Sequence, residues 1–247
     1  MPPKPEKAKK ANVYADIAAD IFFARFKPGS KRVDFERRGW VEDAAEMAVA
    51  VVRASDAAVI AAISGPVVFE GAQGLLLDQD RGWFPHVTRS NTGVKNAAAL
   101  AQEAGIDALD ITYCARAYLT RHGAGPLPGE LAGPPHAGVA DATNVPGKWQ
   151  GALRFARLDL GLLAGAVRAD LKDAPAGMDV RHGLRVSCLD QIGRDAAAWR
   201  DEHGGERRGT AEALAVGAAE AAGACFLGVG HGPARSDAMP VFGDRRR

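Results

Sequence analysis

What this sequence lacks removes most function classes at once. Its 247 residues include only 3 cysteines, Cys114, Cys188 and Cys225, with no CxxC spacing. That argues against a disulfide scaffold and a cysteine-built zinc centre, and reads as reduced core thiols of a cytoplasmic protein. The 6 histidines, His86, His122, His136, His182, His203 and His231, show no HxxxH-type spacing, so no protein-only metal site is expected. No apolar run approaches the ~18 residues that cross a bilayer, and no signal peptide is present. Neither charge dominates: Lys+Arg 31 against Asp+Glu 30 leave +1, so no global field points to nucleic acid. The basic excess sits at the ends, in Lys4, Lys7, Lys9 and Lys10 among prolines and in Arg245-Arg246-Arg247. These read as solvated tails, with residues 1–12 a disordered basic segment and 13–247 a single domain. Also missing are a GxSxG nucleophile elbow and a GxxxxGK[ST] phosphate loop. Gly228-Val229-Gly230-His231-Gly232 looks only faintly like a dinucleotide fingerprint, with no room after it for a helix and βαβ unit.

What is present is a chain with 47% hydrophobic residues, enough for a substantial core, in which helical and strand-like patterns alternate. Helices are expected over residues 14–26, 41–63 and 93–104, the last capped by Asn91 or Thr92 and ended by Gly105. Another is expected over 153–171, with Leu153, Leu158, Leu162 and Val167 inward, and another from a Thr210 cap to Ala222, ended by Gly223. Strands are expected over 67–69, 109–114, 184–189 and 224–229. Residues 121–147 form a long Gly/Pro-rich loop, a length that is either functional or disordered. Strands separated by helices imply parallel pairing with crossover helices, so the fold class is α/β.

Three loops follow three strands, where open α/β sheets bind ligands. Thr88, Ser90, Asn91 and Thr92 lead into a helix start, whose free N–H groups and dipole favour an anion; a polar helix cap explains them equally well. Gln73 between Gly71 and Gly74 offers a donor and an acceptor to a purine edge. Glu70 suits either a base or an orienting role. Asp190 at a strand end can accept two hydrogen bonds from a guanine-type edge, or can cap a following helix.

The string Phe69-Glu70-Gly71-Ala72-Gln73-Gly74-Leu75-Leu76-Leu77-Asp78, then Gly82, Pro85 and Val87-Thr88-Arg89-Ser90-Asn91-Thr92, resembles the signature of the adenylosuccinate synthetase family. Ala117-Tyr118-Leu119-Thr120-Arg121-His122-Gly123-Ala124-Gly125-Pro126-Leu127-Pro128 resembles its next block. Ser187-Cys188-Leu189-Asp190 resembles its guanine-reading element, and Gly232-Pro233-Ala234-Arg235-Ser236-Asp237-Ala238-Met239 its last nucleotide loop. The resemblance implies a mostly parallel β-sheet with crossover helices, a P-loop-NTPase-like synthetase fold missing its N-terminal part. It implies condensation of a purine nucleotide, IMP or dGMP, with L-aspartate, driven by GTP or another purine triphosphate with Mg2+. By matching position, Gln73 would touch the purine, Thr88 the phosphate, and Asn91 the same nucleotide. Arg121 and the turn at Gly123 would lie by the ribose and site floor, while Asp190, Gly232 and Pro233 would hold the guanine of GTP.

The departures are informative. The family's arginine-rich aspartate loop is replaced by Thr143-Asn144-Val145-Pro146-Gly147-Lys148-Trp149-Gln150-Gly151-Ala152-Leu153-Arg154-Phe155, similar to the short archaeal and phage members. Arg154 is the candidate for the aspartate carboxylate, because a guanidinium fork fits it bidentately. Cys188 stands where the guanine-reading element has lysine, and His122 replaces a small apolar residue. Nothing in residues 1–66 resembles the family's phosphate loop, catalytic aspartate, histidine or magnesium ligands, so no catalytic residue is assigned and Mg2+ ligands are not found. Three readings follow: a synthetase portion active with an N-terminal complementing polypeptide, a non-catalytic nucleotide-binding protein, or an autonomous synthetase with a rebuilt phosphate site. The family also makes a homodimer an expectation.

Overall fold

The computed structural model describes residues 60–242 except 62, 64–66, 72, 140, 142, 143 and 194. The helices expected over 14–26 and most of 41–63, and both basic ends, lie outside the described residues. The architecture is α/β. A four-stranded sheet runs in the order β1-β5-β8-β9, built from β1 (Ala108–Arg116), β5 (Asp179–Ser187), β8 (Leu227–Gly230) and β9 (Ala238–Phe242). The first three are parallel, and β9 returns antiparallel to β8. Helix α1 (Lys95–Glu103) precedes β1, α2 (Leu160–Leu171) lies between β1 and β5, and α3 (Ala211–Ala221) between β5 and β8. A second sheet, in the order β2-β4-β3, joins β2 (Tyr118–His122), β4 (Leu153–Arg157) and β3 (Glu130–Leu131), all antiparallel. A hairpin of β6 (Ala197–Arg200) and β7 (Glu206–Gly209) completes the set among the described residues.

Local chemistry explains the helix ends. Thr210 caps α3, its side chain accepting the Ala213 N–H at 3.0 Å, and Gly223 just past the end takes φ 66°. Asp159 caps α2, accepting from Leu162 N at 2.9 Å. The inward face of α3, including Leu214, Ala215 and Ala218, joins Leu184, Val186 and Leu227 in one buried core. Burial of each leucine stabilises the fold by about 1.5–3 kcal/mol.

Three expectations are corrected. Residues 67–69 lie in no strand, and Val68 is 87% exposed; an apolar run becomes a strand only beside a ladder partner, and none stands there among the described residues. Residues 153–157 are β4 rather than the start of a helix. Leu153 and Phe155 alternate with Arg154 and Ala156, pairing with β2 satisfies the backbone, and the helix begins after the Asp159 cap. Of the four leucine and valine positions expected inward there, Leu158 and Val167 are buried, and Leu153 and Leu162 partly so. Finally, Cys114 and Cys225 are exposed rather than core residues and Cys188 is half-buried, though all three are free thiols. Strands β2, β3 and β9 and the hairpin β6–β7 were not anticipated; the end of β2 and all of β3 fall within the stretch expected as a loop over 121–147. Among the described residues, no helix is long and apolar enough to cross a membrane.

Candidate functional site

The loop from Gln73 to Thr92 is organised by carboxylates it buries. After the 3-10 turn Leu75–Leu77, Asp78 is fully buried and accepts the N–H of Asp80 at 2.9 Å and of Thr92 at 2.7 Å. Burial alone would raise its pKa, but those two N–H groups and the Arg81 charge hold it below the ordinary carboxylate value. Arg81 also bonds Asp170 at 2.7 Å and Asp173 at 2.6 Å. Thr92 Oγ1 donates to Gly74 O at 3.2 Å, and Asn91 Nδ2 donates to Asp80 at 2.7 Å. Thr88 N donates to Leu77 O at 2.8 Å, and Gln73 is exposed at the bend.

The helix start after this loop differs from expectation. Neither Asn91 nor Thr92 caps α1; Val94 occupies the N-cap position. The Val94 N–H is taken by Asp170, both oxygens of which lie 3.1 Å away. Asp170 is fully buried and also accepts from Tyr113 Oη at 2.8 Å. The anion drawn to this helix start is therefore the chain's own carboxylate.

A second group lies on the small sheet. Arg121 of β2 and Arg154 of β4 are cross-strand partners. Arg121 is 9% exposed, and among the described residues it donates to two carbonyls, Ala124 O at 3.0 Å and His86 O at 2.8 Å, and to no carboxylate. Burial, then the neighbouring Arg154 charge, lower its pKa. Gly123 and Gly125 turn the chain at φ 85° and 110°. A Cβ at Gly125 would overlap Arg121 and stand 2.6 Å from the His86 Cβ, so only glycine lets the turn pack on the guanidinium. Arg154 donates through Nη1 to Gly123 O at 2.9 Å and Gly125 O at 2.8 Å. Its other edge meets Glu130, Nε to Oε1 at 2.7 Å and Nη2 to Oε2. Through His86, two residues from Thr88, Arg121 ties this sheet to the first loop.

The third group sits at the carboxyl ends of β5 and β8. Val186 pairs with Val229, so the chain beyond Ser187 and that beyond Gly230 leave the sheet at the same edge. Cys188 takes the left-handed conformation (φ 61°), and exposed Asp190 lies in the 3-10 turn Leu189–Gln191, with no α-helix for it to cap. Tyr118 Oη donates to Gln191 Oε1 at 2.6 Å, linking this turn to β2. Burial, then nearby Cys188, push that phenol up to about 12. Past β8, Asp237 accepts the Ala234 N–H at 2.8 Å, and a Cβ at Gly232 would overlap its carboxylate, which shapes the turn holding Gly232 and Pro233.

The structure thus gathers Arg121, Gly123 and Arg154 with the Thr88 loop, and places Asp190 and the Gly232-Pro233 turn in the segments that leave the neighbouring strands β5 and β8. Asp170, Asp78, Arg81, His86, Tyr118 and Glu130 were missed by sequence reasoning. No local pattern marks a carboxylate whose partners lie 57 to 89 residues away, as those of Asp170 do. Among the described residues, no group of three or more His, Cys, Asp or Glu could hold a metal ion. The described residues therefore do not fit Mg2+.

The family model described as adenylosuccinate synthetase matches residues 16–169. The chain belongs to the adenylosuccinate synthetase family. An adenylosuccinate synthetase of Alteromonas mediterranea is 43% identical over 109 residues, covering 42% of this chain and 24% of that protein. One from Xanthomonas campestris pv. campestris is 50% identical over 76 residues, 30% of this chain and 17% of that protein. The matched stretches thus span a quarter or less of those relatives' lengths. The fully ligated adenylosuccinate synthetase of Plasmodium falciparum shares the fold, with a TM-score of 0.60 at 14% identity, covering 96% of this chain and 64% of that one.

Proposed function

We propose that this chain carries a purine-nucleotide and aspartate site of adenylosuccinate synthetase type, condensing IMP or dGMP with L-aspartate at the expense of GTP or another purine triphosphate. The observation that carries the reading is Arg121. It is a buried guanidinium beside a second one, with carbonyls and no carboxylate as partners among the described residues. Such a cation is costly unless an anion joins it, and the nucleotide phosphate is that anion. Thr88 and Asn91 complete the phosphate side, Gln73 reads the purine, and the residue 123–125 turn underlies the ribose. Exposed Asp190 accepts the amidine edge of guanine, with the Gly232-Pro233 turn against the base. Arg154 receives the aspartate carboxylate.

In the reaction, the purine 6-oxygen attacks the γ-phosphorus and the nucleoside diphosphate leaves. The aspartate amine then attacks C6 and expels phosphate. The chain's described residues bind and orient these partners, which is most of what phosphoryl transfer asks of a protein. A complementing N-terminal polypeptide supplies the phosphate loop and Mg2+ ligands that residues 1–66 do not resemble. The protein works in the cytoplasm, as a homodimer or with that polypeptide, apart from membrane and nucleic acid.

Calorimetry of the full chain with IMP, dGMP, GTP and dATP tests the site; absence of binding by all four refutes it. Product formation with aspartate and Mg2+, with and without the complementing polypeptide, separates a synthetase from a non-catalytic nucleotide-binding protein.

A further inference from the structure

The guanidinium of Arg154 is a plate held from one side. Its Nη1 is fixed by two backbone carbonyls of the positive-φ turn, Gly123 O at 2.9 Å and Gly125 O at 2.8 Å. That anchorage does not involve Glu130. The opposite edge, Nε and Nη2, presents two parallel N–H groups with the spacing of a carboxylate, and Glu130 fills it with both oxygens. The Glu130 side chain is 40% exposed, against 28% for Arg154. It stands on a two-residue strand whose only sheet neighbour among the described residues is β4. So the fork is rigid and its occupant is peripheral.

Resting on the role proposed above for Arg154, we propose that Glu130 is the seat's resident carboxylate. An incoming L-aspartate binds by displacing Glu130, which thereby sets the affinity for aspartate. Departure of Glu130 leaves the fork preorganised, because the two carbonyls still hold it. The exchange is carboxylate for carboxylate, so net charge in the seat is unchanged and no buried ion is stranded. The pair is bidentate but exposed to solvent, so its strength is cut by water and salt and an incoming carboxylate offering the same two acceptors can exchange with it. Glu130 is held ionised by its hydrogen bonds from Arg154, so it competes over the whole neutral range.

The test is calorimetric titration of L-aspartate into the full chain saturated with IMP, comparing wild type, Glu130→Gln, Glu130→Ala and Arg154→Gln. Thermal melts confirm that each variant is folded, and two substitutions at position 130 guard against loss of either. Removing the competitor should tighten aspartate binding by about two- to five-fold, the worth of an exposed pair. Arg154→Gln should abolish binding in both the wild-type and the Glu130→Gln background. If Glu130 only steadies Arg154, both Glu130 variants bind aspartate as wild type does or more weakly. That outcome overturns the proposal and leaves the proposed function standing. If IMP binds but no variant, wild type included, takes up aspartate, the role of Arg154 falls and the proposal falls with it. If IMP itself does not bind, the nucleotide reading is at fault, and titrating aspartate into the same four proteins without IMP still decides between competition and support.

Discussion

Asp170, in the last turn of α2, stands at the N terminus of α1 with both carboxylate oxygens 3.1 Å from Val94 N. It joins a helix start, the Arg81 loop and strand β1 through one buried group, since Arg81 and Tyr113 bond it as well. Asp170→Asn keeps the shape but removes the charge that neutralises Arg81 and the helix end. The expected loss is about 3 kcal/mol, the lower range for breaking a buried pair, because Arg81 retains Asp173. The urea midpoint should fall with an unchanged slope. Gly93→Ala should do comparable damage, since a Cβ there would overlap the Asp170 carboxylate.

Arg121 separates binding from stability. Arg121→Met keeps the buried stem and removes a guanidinium that has no carboxylate partner among the described residues. Folding stability should stay level or rise by about 1 kcal/mol, while on the proposed role affinity for IMP or dGMP should fall by roughly 100-fold, because the phosphate would lose its charge-assisted bonds. Equal losses in melting temperature and affinity would assign Arg121 a structural role instead.

Asp190 is exposed, so replacing it should leave stability within about 0.5 kcal/mol. Asp190→Asn exchanges an acceptor pair for one acceptor and one donor, which faces the guanine edge wrongly. GTP affinity should fall by about tenfold or more, with an adenine triphosphate affected less. Competition binding with the two triphosphates measures this. Equal effects on both would remove Asp190 from base reading.

Elements that depend on near neighbours in the chain were legible. Thr210 and Gly223 bracket α3 because a cap and a left-handed stop are local devices. The parallel core strands were legible as apolar segments between helices. What failed depended on distant partners. The apolar spacing through Leu153 and Leu158 suits a helix until β2 offers a ladder, and residues 67–69 suit a strand until no ladder stands beside them. At the site, Arg121 was singled out by its position in the block that resembles the family, and Arg154 by its guanidinium fork. Their pairing across β2 and β4 was not visible, nor was Glu130 in the Arg154 fork. The long loop after Arg121 likewise hid β3, because two residues carry no periodicity.

The Asp78 network should give the fold an acid limit of definite sign. Burial pushes the Asp78 carboxyl up, but the Thr92 and Asp80 N–H groups and Arg81 outweigh it, leaving the folded pKa below the ordinary value of 3.8. The folded state then binds fewer protons than the unfolded chain as pH drops. Its stabilising share is present above 3.8 and is lost as pH falls through the lowered folded value. Asp80, Glu130 and Asp201 are shifted in the same direction, so the wild-type curve is a sum. Asp78→Asn isolates one share. Its urea midpoint should be lower than wild type at pH 7, and the gap should narrow as the pH is taken below 3.8. Two curves that stay parallel down to the acid transition would show that Asp78 holds the Thr92 end of the loop by shape and not by charge.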